Sequence, residues 1–274
     1  GIRGVRENLE NAVRTLYREG IRGGRPGTGL AGFADWLLKG LGVRKEAGLF
    51  GDITRLDAEF GFPSFFFLMS NGTHPVDATY DVLGDACRRV IAAIHAAGGG
   101  VGYHVGLDAH RHPGRLETEW VRLRQADPSA WPACRSHFLS FFPPKTWRDL
   151  VAAGLRVDST LGYSDHMGFG GGTCRPFRPF DIERREVLPV WEIPMTLMDN
   201  NFFRQPAGGD AERLSRAREL VSRVRAAGGC FVVNWHNVVF FGRYRRLYRD
   251  LLALLRDARP MRLEDLPSDG SLVA

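Results

Sequence analysis

Short apolar runs alternate with amphipathic helical stretches from about residue 64 to residue 256, and no other feature restricts the fold as much. This is the sequence form of a βα-repeating chain, in which each strand is covered by the helix that follows it. Ser64–Met69 (SFFFLM) reads as a buried strand, short, aromatic and preceded by Gly61 and Pro63. A helix is expected over Asp77–Ala97, where Val82, Ala86, Val90 and Ile94 fall four apart and Gly98-Gly99-Gly100 stops it. Val101–His104 is the next strand, Glu117–Gln125 the next helix and Cys134–Phe138 a further short run. Thr146–Ala153 is a helix ended by Gly154, with strands expected at Leu155–Ser159 and Val187–Ile193. Ala211–Ala227 is the clearest helix, with Leu214, Ala217, Val221 and Val224 on one face. Cys230–Trp235 (CFVVNW) reads as a fully buried strand and Tyr244–Arg256 as a closing helix. About six strands, most with a helix nearby, define a parallel-strand α/β barrel, whose chemistry sits where strands end.

The length of 274 residues suits one such barrel, so residues 1–274 are expected to form a single domain. A chain of this size buries a core without disulfide or metal staples. Cys87, Cys134, Cys174 and Cys230 lie far apart with no CxxC pair, which argues against a zinc ribbon and gives no disulfide framework. No apolar run approaches the ~20 residues of a membrane span, and a cytoplasmic location is expected. The net charge of +6 invites a nucleic-acid reading. However, only Lys39, Lys45 and Lys145 are lysines, and the arginines are interspersed with carboxylates, as in Asp181-Ile182-Glu183-Arg184-Arg185-Glu186. That is a solvated arginine surface, and no nucleic-acid partner is expected.

The informative residues close the strands. His104 ends one, and Asp108 follows four residues later in Y-H-V-G-L-D-A-H-R-H; imidazole and carboxylate together suit a divalent transition metal. His110 and His112 are alternatives in the same loop, with His112 the one best explained as surface. His236, in F-V-V-N-W-H-N, is either a core histidine bonded to backbone or a general acid beside a metal. Arg135 and His137 come from C-R-S-H-F-L, and Asp158 from V-D-S-T-L-G-Y. Arginine clamps carboxylates and a buried aspartate orients a histidine. Each residue alone has a structural explanation; four polar strand ends on one barrel point to a shared site.

These residues resemble the polysaccharide deacetylase (NodB-homology) superfamily, and more closely its divergent members associated with bacterial surface-glycan synthesis. The resemblance runs from about Gly51 to Phe241. Its most specific stretch is R-S-H-F-L followed by D-S-T-L-G-Y-S-D-H-M-G-F and G-T-C-R-P-F-R-P-F, with F-G-F-P-S-F-F-F-L and V-N-W-H-N in support. It implies a distorted (β/α) barrel with a divalent metal, usually zinc, that removes acetyl groups from a sugar or polysaccharide. His104 matches the first histidine of the H-x3-H metal motif, and Asp108 stands in the place of the second. Arg135 matches the arginine that holds the catalytic base, Asp158 lies near the fourth motif, and His236 matches the late general acid. His137 and Trp235 are taken as substrate-binding.

One departure matters. The family's first motif, an aspartate pair closing the first strand, has no counterpart upstream of Phe65. Asp35 lies in a helical W-L-L stretch, and Asp52 and Asp57 sit where a first helix is expected. Either the chain, which opens Gly1-Ile2-Arg3 without methionine, starts just after that motif, or it is a degenerate, non-catalytic member. In both cases the barrel is expected to lack its first strand and the chain to be a poor catalyst. The rival class is a non-catalytic glycan-binding or scaffold protein, for which Trp120, Trp131, Trp147, Trp191 and Trp235 offer sugar-stacking faces.

Overall fold

The computed structural model describes residues 46–204 and 209–266, together with Leu30; Asp35 and the opening Gly1-Ile2-Arg3 lie outside the described residues. In chain order the described helices are α1 (Glu46–Glu59), α2 (Asp85–Ala96), α3 (Arg115–Ala126), α4 (Lys145–Ala152), α5 (Asp199–Arg204), α6 (Asp210–Ala227) and α7 (Gly242–Leu254). The strands are β1 (Phe65–Leu68), β2 (Gly100–Val105), β3 (Ala133–Ser136), β4 (Val157–Asp158), β5 (Phe180–Asp181), β6 (Glu186–Val187), β7 (Trp191–Glu192), β8 (Leu197–Met198) and β9 (Val233–Asn234).

β1, β2, β3, β4 and β7 lie side by side in that order, all parallel, which confirms the mixed α/β reading. β8 and β9 form a separate parallel pair, and β5 and β6 an antiparallel hairpin. Side chains join the two parallel pieces. Phe66 of β1 packs with Val233 of β9 and Trp235 against Leu49, Ile53 and Leu56 of α1 and Tyr248 and Leu252 of α7. Phe65 and Phe67 reach the opposite face, where they meet Ala133, Val157, Trp191, Ile193 and Val232. This second layer is the inner core; the largest cluster fills the other face under α2, α3 and α4.

The expected helices stand, with altered ends. α2 buries Cys87, Val90, Ile91 and Ile94 and stops at Gly98, whose φ of +82° only glycine adopts readily. It begins at Asp85, not Asp77, because Asp77 is committed to a loop in which its carboxylate caps the backbone N–H groups of His74 and Leu107. The run Val187–Ile193 is two strands rather than one. Pro189 lacks the N–H that a continuous ladder needs, so Val187 stays in the hairpin and Trp191 joins the main sheet. Cys230–Trp235 shortens to Val233–Asn234 and is only partly buried, against the expectation of full burial. No helix among the described residues is long and apolar enough to cross a membrane.

Candidate active site

The site begins with a gap in β2. Val101, Tyr103 and Val105 are buried on the helix side, so Gly100, Gly102 and His104 share the inner face. The glycines are required there by the ring of Phe65. A Cβ on Gly102 would stand 2.6 Å from that ring and 2.7 Å from the Ala133 carbonyl oxygen, and one on Gly100 would also be 2.6 Å from the ring. Phe67 extends the aromatic row, and the Arg135 guanidinium lies 4.8 Å from its ring centre. His104 and Arg135, register partners on β2 and β3, top this apolar floor.

Arg135 is buried and donates from Nε to the Ser159 carbonyl and from Nη2 to the Ser159 hydroxyl, both at 2.8 Å. Among the described residues no carboxylate forms an ion pair with it. Burial pulls its pKa down to about 10, against the upward pull of Asp158 and Glu192, and it remains a cation at neutral pH. The expected clamp on a carboxylate is thus replaced by a clamp on Ser159.

Each of three histidines is held by its Nδ1. His104 donates to the Arg135 carbonyl oxygen at 2.7 Å. A carbonyl only accepts, so the ring hydrogen is on Nδ1 and the lone pair on Nε2. Burial, with repulsion from His137, pushes the His104 pKa down to about 3, so it is a neutral donor of that lone pair. His137, in the turn after β3, donates to the buried Asp77 at 2.8 Å. For Asp77, burial works upward, but hydrogen bonds, led by that from His137, hold the carboxyl below its ordinary value. His236 follows β9 and donates from Nδ1 to Asp199 at 2.7 Å, while its backbone N–H reaches the other carboxylate oxygen at 3.3 Å. Burial alone would lower the His236 pKa; the hydrogen bond and charge of Asp199 outweigh it and the net shift is upward.

The rings of His104 and His137 meet edge to face with centroids 5.2 Å apart. His236 is electrostatically coupled to His104 and to Arg135. Beside His137, Phe138 and Leu139 both hold left-handed φ values of 53° and 55°, uncommon for residues with a Cβ. The Phe138 ring lies 4.5 Å from the His137 ring and is 68% exposed.

The other expected residues have different neighbours. Asp108 faces Arg115, 3.6 Å away, and His112, 3.5 Å away. His110 is buried against Phe142, with neither ring nitrogen hydrogen-bonded. Asp158 follows the inner-facing Val157, so its carboxyl is turned to the helix side, where the Thr160 hydroxyl and Cys134 thiol donate to it. Trp235 packs among Phe202, Phe203 and Tyr248. Asp77, Asp199 and Glu192 were not anticipated from sequence. Asp199 carried the one usable signal, since it closes an apolar P-M-T-L-M run just as His104 closes its strand. No group of three or more His, Cys, Asp or Glu side chains among the described residues is arranged to hold a metal.

The fold is similar to the crystal structure of a Mycobacterium smegmatis protein provisionally assigned as a polysaccharide deacetylase. The match has a TM-score of 0.56 at 16% identity and covers 83% of this chain and 75% of that one. At that identity the likeness is one of fold. No protein-family model matches the chain, and no curated protein matches it in sequence.

Proposed function

We propose that the chain is the barrel of a metal-dependent carbohydrate deacetylase acting on an acetylated sugar or polysaccharide, in surface-glycan synthesis. The observation that carries this reading is the set of three histidines, each fixed through Nδ1, beside a buried arginine at the strand ends of a deacetylase-like fold. The donor chemistry fits a zinc-like ion, because neutral imidazole nitrogen backed by a carbonyl or carboxylate is its usual ligand. His104 would hold the metal. When bound, such an ion polarises the acetyl carbonyl and eases deprotonation of a water.

The remaining steps belong to the chain's own residues. His236, whose hold on a proton Asp199 strengthens, delivers a proton to the departing amine or hydroxyl. Arg135, fixed on Ser159, presents its free N–H groups to the anionic side of the reaction, and Asp158 sits behind it as counter-charge. Trp235 supports the position of His236 in the chain. Phe138 and His137 offer the partly exposed flank on which a sugar rests.

Acetate release from N-acetylated and O-acetylated oligosaccharides, measured with added zinc, tests this. The parent is expected to release acetate, slowly, and His236→Gln to release at least tenfold less with unchanged metal content. Equal release by the two would remove His236 from the reaction. No release by the parent from any acetylated glycan would favour the glycan-binding reading.

A further inference from the structure

We infer that His137, through Nε2, is the second protein ligand of the metal site, alongside His104. This rests on the metal-dependent reading above and deepens it. The two rings come from neighbouring parallel strands, His104 from β2 and His137 from the turn that ends β3. Each commits Nδ1 to its own acceptor, His104 to the Arg135 carbonyl and His137 to Asp77. Both acceptors lack a hydrogen to donate back, so Nδ1 carries the hydrogen in each ring and Nε2 is the nitrogen left to bind a metal.

The spacing of the rings fits a shared ion. With zinc about 2.1 Å from each nitrogen and a tetrahedral angle of about 109°, two imidazole centres stand about 5.2 Å apart. The observed centroid separation is 5.2 Å. Behind His137 stands a carboxylate with 1% side-chain exposure, itself fixed by two backbone N–H groups. A carboxylate–histidine pair of this kind orients metal-binding imidazoles and raises their basicity. His137 keeps 21% exposure, so the site is reachable from solvent.

Asp108 is held only loosely: its carboxylate lies 3.6 Å from Arg115, at the start of α3, and 3.5 Å from His112, and its buried Oδ1 accepts no hydrogen bond. A catalytic zinc ordinarily takes three protein ligands and keeps the fourth position for water or substrate, so His104 and His137 would supply two of the three. This pair also frees the 104–108 spacing from having to supply both ligands.

The test uses Co2+ and Zn2+ as probes on the whole chain, with metal removed beforehand by chelation. Metal-induced rise in Tm, Co2+ visible absorption and elemental zinc content are read for the parent and for His104→Ala, His137→Ala, His137→Gln and Asp108→Ala. His137→Gln keeps a donor to Asp77 and guards against a merely structural loss; melting of each metal-free variant checks its fold. The inference expects both His137 variants, like His104→Ala, to lose the metal-induced shift and the Co2+ absorption, with Asp108→Ala retaining them. Retention by a folded His137→Gln would overturn it, more sharply still if Asp108→Ala had lost the signal. A parent that takes up neither metal overturns it together with the metal dependence of the proposed activity. Metal uptake without acetate release leaves the ligand assignment standing and removes the deacetylase reading alone.

Discussion

Asp158 and Glu192 face each other as register partners on β4 and β7, both shut off from solvent. Burial pushes both carboxyls upward, and repulsion from Asp158 adds to the effect on Glu192. Glu192 accepts from the Trp147 indole and the Leu161 backbone N–H, each at 3.1 Å. Asp158 Oδ2 has no hydrogen-bond donor among the described residues. The Arg135 charge favours the ionised form of Asp158 against the pull of burial.

Glu192→Ala leaves the Trp147 indole N–H and the Leu161 backbone N–H buried without their acceptor. The expected loss is about 3–5 kcal/mol, read as a lower urea midpoint at constant m-value. A midpoint unchanged from the parent would show that these contacts add nothing to stability.

Gly102→Ala tests the floor of the site. The new methyl would collide with the Phe65 ring and with a backbone oxygen that has little freedom to move. Overpacking of this kind costs about 1–3 kcal/mol, and thermal melting should show it. Phe65→Leu in the same chain should recover part of the loss, because one of the two colliding groups shrinks.

Asp199→Asn should lower the His236 pKa, followed by NMR titration of the imidazole. The parent's folded value is raised, so the stability it contributes is fully present below the unfolded value near 6.5 and is lost as pH rises through the folded one. The gap in stability between parent and Asp199→Asn is therefore expected to be wider at pH 5.5 than at pH 8.5. A gap independent of pH would mean that the pair is not charged.

Asp57 has the same sign, in a more acidic range. It ties α1 to Ser64, just before β1, and to Tyr248 of α7, whose hydroxyl donates at 2.7 Å. Burial outweighs those hydrogen bonds and raises its pKa from 3.8 to about 6. The folded chain then binds this proton more tightly than the unfolded one, so the contribution is greatest below pH 3.8 and falls as pH rises to about 6. The size is on the order of 3 kcal/mol. Asp57→Asn should flatten the stability profile over that range; a profile with its slope intact would assign the slope to other groups.

The strand–helix alternation was legible because it rests on local periodicity, and His104, Arg135 and His236 were legible because they close apolar runs. What holds the histidines was not. Asp77 and His137 are 60 residues apart, and Asp199 and His236 are 37 apart, so nothing local links them. Asp77 was moreover assigned to a helix on hydrophobic spacing that continues past the true N-terminus of α2. The 104–108 spacing pointed to a ligand pair, but the 3.6 Å approach of Arg115 to Asp108 had no local signal. The Val187–Ile193 run failed at Pro189, where composition outvoted a single missing donor.

The glycine gap on β2 also guards against an error in assembly. A slip of one residue along its neighbours would exchange the faces, sending His104 under the helices and Tyr103 over the floor. Tyr103 would then meet the ring of Phe65 where only Gly102 now fits. The misaligned sheet is excluded by shape before any metal or substrate arrives, so an intact aromatic floor already reports that the histidines above it are facing the right way.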